Sequence, residues 1–230
     1  MTPDPTVRVH DRGGVREVTL HRPPVNALSA VEYAALEAAF APDPGVRVRV
    51  LRGGGRTFCS GQDVEEARGL GADAGRYLTA AGAAVAAAAR APVPLVAVVN
   101  GPAVGAGGLL VALADVVVCA RGAWLAFPEA RYGLPLGRSL LERAVPPRVA
   151  RALLATGRRI DAERLLALGL ADSVVDGDSL EEAAAAAVED LLALPEAMAA
   201  WLFAGPEREE RAAAYLAEVR ATAAAGAWGF

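Results

Sequence analysis

A chain of 230 residues and 23.5 kDa suits one compact domain with room for a small appendage, and it is long enough to bury a core. Its 27 acidic against 23 basic side chains leave a net charge of -4, which removes any general case for nucleic acid or an anionic membrane surface as partner. Every one of the cationic side chains is arginine, so Schiff-base chemistry on lysine and the lysine of a phosphate loop are both excluded.

The opening stretch, MTPDPTVRVHDRGG, lacks the basic start and apolar run of a secretory signal, which predicts a cytoplasmic protein. VREVTL and the alternating VRVRVL from Val46 to Leu51 predict strands with one buried and one wet face. Between them, SAVEYAALEAAF begins with Ser29 and carries Glu32 three residues on, a capping box ahead of a helical pattern. GGGRTFCSGQD then leads into a charged loop and an alanine-rich helix over roughly residues 73–90, followed by the apolar strand PLVAVV. NGPAVGAGG and a helix ending near Asp115 come next, and VVVCA is a further strand. From about Arg138 the pattern is mostly helical, with Asp161 as an N-cap and an amphipathic helix near residues 206–224. Strands alternating with helices imply an α/β fold. No linker divides the chain; a core over residues 1–178 is expected to continue into a C-terminal helical region over 179–230 that packs on it or on a neighbouring subunit.

The 24 residues from Ala91 to Ala114 carry no charge, and length alone would let them cross a bilayer. Pro92, Pro94, Pro102, Asn100 and the clustered glycines break that run into a strand, a turn and a short helix, so no membrane span is expected. A strand, glycines and then a helix place unpaired backbone N–H groups at a helix start, where negative charge is stabilised. Residues 105–109 therefore read as an anion site. The dinucleotide fingerprint does not fit, because Gly105, Gly107 and Gly108 are too closely spaced and lie mid-chain. Taken alone, the stretch also admits a plainer reading, in which the glycines only let a helix pack tightly on a strand.

A second turn, TFCSGQD over residues 57–63, also follows a strand. Cys59 or Ser60 as a nucleophile would need a base within reach, and the two histidines, His10 and His21, sit on early strands. Two cysteines and two histidines are also too few for a disulfide framework or a zinc cluster, so a reduced interior without metal is expected. Backbone N–H groups from the two turns, converging on one developing oxyanion, are the reading these residues favour.

Five segments occur in the order of a known set of motifs: HRPPVNALS, FCSGQDV, NGPAVGAGG, FPEARYGL and RRIDAERLLALGLADSVV. Over roughly residues 6–180 the chain resembles the crotonase superfamily, also called the enoyl-CoA hydratase/isomerase family. The resemblance implies a crotonase-like spiral of ββα units whose C-terminal helices assist assembly into a homotrimer or a hexamer. It also implies an acyl-CoA thioester as substrate, with coenzyme A entering as part of that substrate and no separate cofactor. By position in the motifs, the amides of Ser60 and Ala106 would form an oxyanion hole, with Ala27, Gly61, Gln62, Asp63, Gly105 and Leu109 around the substrate. Arg22 would meet a phosphate of coenzyme A.

Hydratases of the family use two glutamates; here the second is Glu129, while the first falls at Leu109, which cannot activate water. One carboxylate above a thioester enolate can still carry a proton between C2 and C4, and the apolar neighbours Phe127 and Leu109 should raise its pKa. Double-bond isomerisation is thus the expected reaction. A hydratase or dehydratase of a secondary pathway, or a noncatalytic acyl-CoA-binding accessory subunit, are the alternatives. GLPLGRSLLERAV is shorter and poorer in glycine than the family's usual segment, which implies a reshaped acyl pocket.

Overall fold

The computed structural model describes residues 5–70 and 74–226. Strands β1 (Val7–Arg12) and β2 (Val15–Leu20) form an antiparallel hairpin with Val9 opposite Val18. From β2 onward the chain repeats one plan: a strand in a large sheet, a short segment in a second layer, then a helix. The first repeat runs from β2 through Leu28 to α1 (Ala30–Ala39). The second runs from β3 (Val48–Gly53) through Cys59 and Gln62 to α2 (Val64–Gly69) and α3 (Ala74–Arg90). The third comprises β4 (Leu95–Val99), β5 (Ala103–Val104) and α4 (Ala106–Leu113). In the fourth, β6 (Val116–Ala120) and β7 (Trp124–Ala126) precede α5 (Arg138–Ala144) and α6 (Pro147–Thr156). Next come β8 (Ile160–Asp161), α7 (Ala162–Ala167) and β9 (Ser173–Val175), then α8 (Leu180–Leu192), α9 (Glu196–Phe203) and α10 (Pro206–Ala225).

The large sheet has the order β1-β2-β3-β4-β6-β9, parallel after the first hairpin. In the second layer each short segment lies beside that of the next repeat: Leu28 bridges Gln62, Cys59 bridges Ala103, and β5 pairs with β7. This stagger is the spiral of ββα units that the sequence led us to expect. The uncharged run of residues 91–114 becomes β4, β5 and α4, and among the described residues no helix is long and apolar enough to cross a membrane.

Local signals placed most elements correctly. Ser29 and Glu32 close the capping box of α1, with the Ser29 amide donating to Glu32 Oε2 at 2.9 Å. Asp161 caps α7 by accepting from the Arg164 amide at 2.8 Å. The alanine-rich helix runs over Ala74–Arg90, and residue 73, where it was expected to begin, lies outside the described residues. Two expectations need correction. The charged loop after residue 63 is the short helix α2, because the Asp63 carboxylate accepts from the Glu65 and Glu66 amides at 3.1 Å and starts it. The alternating strand has no wet face where β3 crosses the sheet: Val48 and Val50 pack against α8, and Arg49 is 1% exposed beneath Phe40. A parallel strand in the middle of the sheet is covered by helices on both sides; Arg49 Nη2 donates to Ala41 O at 2.6 Å, while its Nε and Nη1 are buried without a partner. Burial lowers its pKa to about 10.

The last helix is tied down at separate points. Arg208 donates twice to the Asp115 carboxylate at 2.8 Å and to Ala91 O at 2.7 Å. Glu218 accepts from the amides of Gly137 and Ser139 at 2.9 and 2.7 Å, which satisfies the start of α5. Val219 presses on α3 at Gly82, where a Cβ would stand 2.9 Å from its Cγ1.

Asn26 staples the turn after β2 to the segment after β3. Its side chain accepts from the Arg22 amide and donates to the carbonyls of Gly54 at 2.9 Å and Thr57 at 2.7 Å. Asn26→Ala strands these buried partners; urea unfolding should show a loss of about 1–3 kcal/mol.

Candidate active site

Two turns meet side by side where the second layer of the spiral begins. The Val104 amide donates to Cys59 O at 2.8 Å, and the amides of Phe58 and Cys59 donate to Pro102 O at 3.1 Å, which holds residues 58–63 against residues 102–107. Gly61 makes the approach possible. It has φ +88°, and a Cβ there would lie 2.6 Å from Val104 O and 3.4 Å from the Ala106 amide nitrogen. Gly107 is as tightly confined, since a Cβ there would stand 2.6 Å from Cys59 O.

Which amides remain free follows from these pairings. Ala106 is the first residue of α4, so its N–H has no intrahelical acceptor. The expected partner at Ser60 does not hold: its amide donates to Val25 O at 3.0 Å and is spent on the fold. The free amide is that of Gln62. Leu28 supplies both bonds of its bridge to this segment, accepting from Asp63 N at 2.9 Å and donating to Gly61 O at 2.8 Å. Gln62 N–H is thereby turned to the opposite side, toward Ala106.

Gln62 and Ala106 both border a cavity of about 130 Å³ whose walls also include Tyr33, Leu78, Val85, Leu109, Glu129 and Tyr215. Glu129 enters it from the short 3-10 helix Glu129–Tyr132, which Pro128 precedes. Glu129 is 7% exposed, both of its carboxyl oxygens are buried without a hydrogen-bond partner, and burial pushes its pKa up to about 7. One carboxyl oxygen lies 3.4 Å from the point a Cβ on Gly105 would occupy, which sets the acid directly over the start of α4. Leu109, one turn into that helix, packs against Gly137 and adds no polar group to the wall.

Of the site residues expected from sequence, Ser60, Gln62, Gly105, Ala106, Leu109 and Glu129 share the cavity wall. Arg22, Ala27, Gly61 and Asp63 support it from behind. The Arg22 guanidinium pairs with Asp63 at 2.8 Å and donates to Ala27 O at 3.2 Å, so its charge is answered within the protein. Asp63 is held below the usual carboxylate range by the Glu66 amide and by Arg22. Cys59 is inert: burial raises its thiol to about 12. Sequence reasoning missed the phenols of Tyr33 and Tyr215, which no local pattern marks, and chose the wrong amide within TFCSGQD.

The family profile described as enoyl-CoA hydratase/isomerase matches residues 10–220. The chain belongs to that family. Among similar proteins, the carnitinyl-CoA dehydratase of Proteus mirabilis is 33% identical over 180 residues, covering 75% of this chain and 69% of the relative. That of Citrobacter koseri is 35% identical over 187 residues, covering 78% and 72%. Among solved structures, an enoyl-CoA hydratase/isomerase from Mycobacterium paratuberculosis superposes with a TM-score of 0.86 at 31% identity, covering 97% of this chain and 94% of the other. One from Xanthobacter autotrophicus Py2 gives 0.87 at 28% identity, covering 98% and 89%. The family acts on acyl-CoA thioesters.

The raised pKa of Glu129 carries a stability signature. Its folded value of about 7 lies above the ordinary 4.5, so between those values the folded state holds the proton more tightly and stability falls as pH rises. Between pH 4 and pH 8.5 the wild type should lose about 3 kcal/mol more than Glu129→Gln does, read by urea unfolding at each pH.

Proposed function

We propose that this family member moves a proton on the enolate of an acyl-CoA thioester, with Glu129 as its single acid–base group and double-bond isomerisation as its reaction. The observation that carries the reading is the pairing of two free backbone amides with one buried, unpartnered carboxylate in a small apolar cavity. Removing a proton next to a thioester carbonyl places charge on its oxygen. The amides of Gln62 and Ala106 meet that charge as fixed dipoles in a dry site, where they need no reorganisation. Glu129, ionised at the start, takes the proton from C2 or C4 and returns it at the other carbon. A carboxyl near pH 7 is matched to both halves of that task. Leu109 favours this over water addition, because the wall beside Glu129 then lacks a second acid to orient a nucleophile. Coenzyme A enters as part of the substrate, and the scheme needs no separate cofactor.

Dehydration or hydration is the second reading, supported by relatives named carnitinyl-CoA dehydratase. Incorporation of labelled solvent oxygen into product separates it from isomerisation. Assembly with further copies, as a trimer or hexamer, belongs to the same proposal: α9 leaves Met198, Trp201 and Leu202 exposed, an apolar patch of the kind that subunits cover.

Glu129→Gln should lower the isomerisation of a 3-enoyl-CoA by about 10²–10⁴-fold while affinity for a saturated thioester is retained; unchanged turnover would refute the assignment. In the wild type, kcat/KM should rise with pH through about 7 as the carboxyl ionises. Gly107→Ala drives a Cβ into Cys59 O and parts the two turns, so kcat should fall by about 10²-fold or more with the circular dichroism spectrum preserved.

A further inference from the structure

The cavity holds a second kind of polar group that proton transfer does not use. Tyr33 from α1 and Tyr215 from α10 both line it, at 1% and 3% exposure, and among the described residues neither hydroxyl has a hydrogen-bond partner. Tyr77, in contrast, packs edge-on against Tyr33 but has its hydroxyl engaged, donating to Leu28 O and accepting from the Asp63 amide. Burial raises both free phenols above their ordinary range, so they remain neutral donors.

Their placement is not loose. Tyr215 lies one helical turn before Glu218, whose carboxylate is bonded to the Gly137 and Ser139 amides, and Val219 is wedged against Gly82. Tyr33 lies in the first turn of the capped helix α1. Much of the remaining wall is aliphatic, from Leu78, Val85, Leu109 and Leu136, with Ser60, Gln62 and Tyr132 as its other polar side chains besides Glu129. A hydrocarbon chain that filled this space would expel water and leave two buried O–H groups unpaired. An anionic tail would face Glu129 with no cationic side chain on the wall to offset it.

We infer that Tyr33 and Tyr215 select the acyl group: the substrate is a short acyl-CoA whose chain carries a neutral, hydrogen-bond-accepting oxygen, such as a ketone, beyond the reacting carbons. This rests on the acyl-CoA reading above and narrows its substrate class. A site built to bond a substrate oxygen discriminates against the analogue that lacks it far more sharply than an apolar pocket does against one methylene.

Saturated thioesters that cannot react test the inference apart from catalysis. Titration calorimetry would compare 4-oxopentanoyl-CoA with pentanoyl-CoA and 5-oxohexanoyl-CoA with hexanoyl-CoA. In at least one pair the ketone should bind the wild type about tenfold or more tightly, as one well-made buried hydrogen bond would give. Tyr215→Phe or Tyr33→Phe should erase that preference while leaving hydrocarbon affinity and the circular dichroism spectrum unchanged. Equal affinities within both wild-type pairs overturn the inference, as does a preference that survives both substitutions. Exchange of the C2 hydrogen for solvent deuterium, followed separately with the wild type and Glu129→Gln, reports on proton transfer alone. A failure there leaves the binding result to stand or fall by itself.

Discussion

The distance between two backbone amides is set by how closely residues 58–63 run beside residues 102–107. The Cys59 carbonyl takes the Val104 amide at 2.8 Å, and neither Gly61 nor Gly107 has room for a Cβ. No side chain therefore needs to be positioned for Gln62 and Ala106 to border one small space; the packing of main chain on main chain does it. Asn26 and the Arg22–Asp63 pair brace the same segment from behind, so residues distant from the cavity still govern its geometry.

Against these fixed dipoles the protein sets one ionisable group. Glu129 is held on a short 3-10 turn with both carboxyl oxygens unpartnered, in surroundings that raise its pKa to about 7. An unsatisfied buried acid costs stability, and the cost is what makes it exchange protons readily near neutral pH. Leu109 adds no polar group beside it. In another context an aliphatic side chain at this position would be ordinary core; beside the start of α4 it leaves Glu129 as the one carboxyl on the cavity wall among the described residues.

The C-terminal helices contribute more than cover. α10 reaches back across α3 and closes the cavity with Tyr215, held in place by Arg208 on Asp115 and by Glu218 on the start of α5. The site therefore draws on both ends of the chain, with Tyr33 from the first helix and Tyr215 from the last. The proposed tail pocket and the proposed proton-transfer centre are compatible in one small volume because phenols stay neutral where a carboxylate would repel Glu129.

Signals confined to a few neighbouring residues were legible without coordinates. The capping box at Ser29, the N-cap at Asp161, the strand–glycine–helix grammar of residues 95–113 and the single glutamate opposite Leu109 all depend on local spacing or on residue identity at one position. From these an α/β fold and the cradle at the start of α4 could be read, while the spiral arrangement and the acid at Glu129 came from the resemblance of the motifs to the crotonase superfamily. Which amide of TFCSGQD is free could not, because it depends on partners at Val25 and Leu28 in an earlier repeat and on Gly61 at φ +88° interrupting the alternation of the strand. The burial of Arg49 and the meeting of Tyr33 with Tyr215 were likewise decided by tertiary packing. The sequence determines which groups exist and which short elements they ride on; the direction each group faces is a property of long-range pairing, and only the folded chain chooses it.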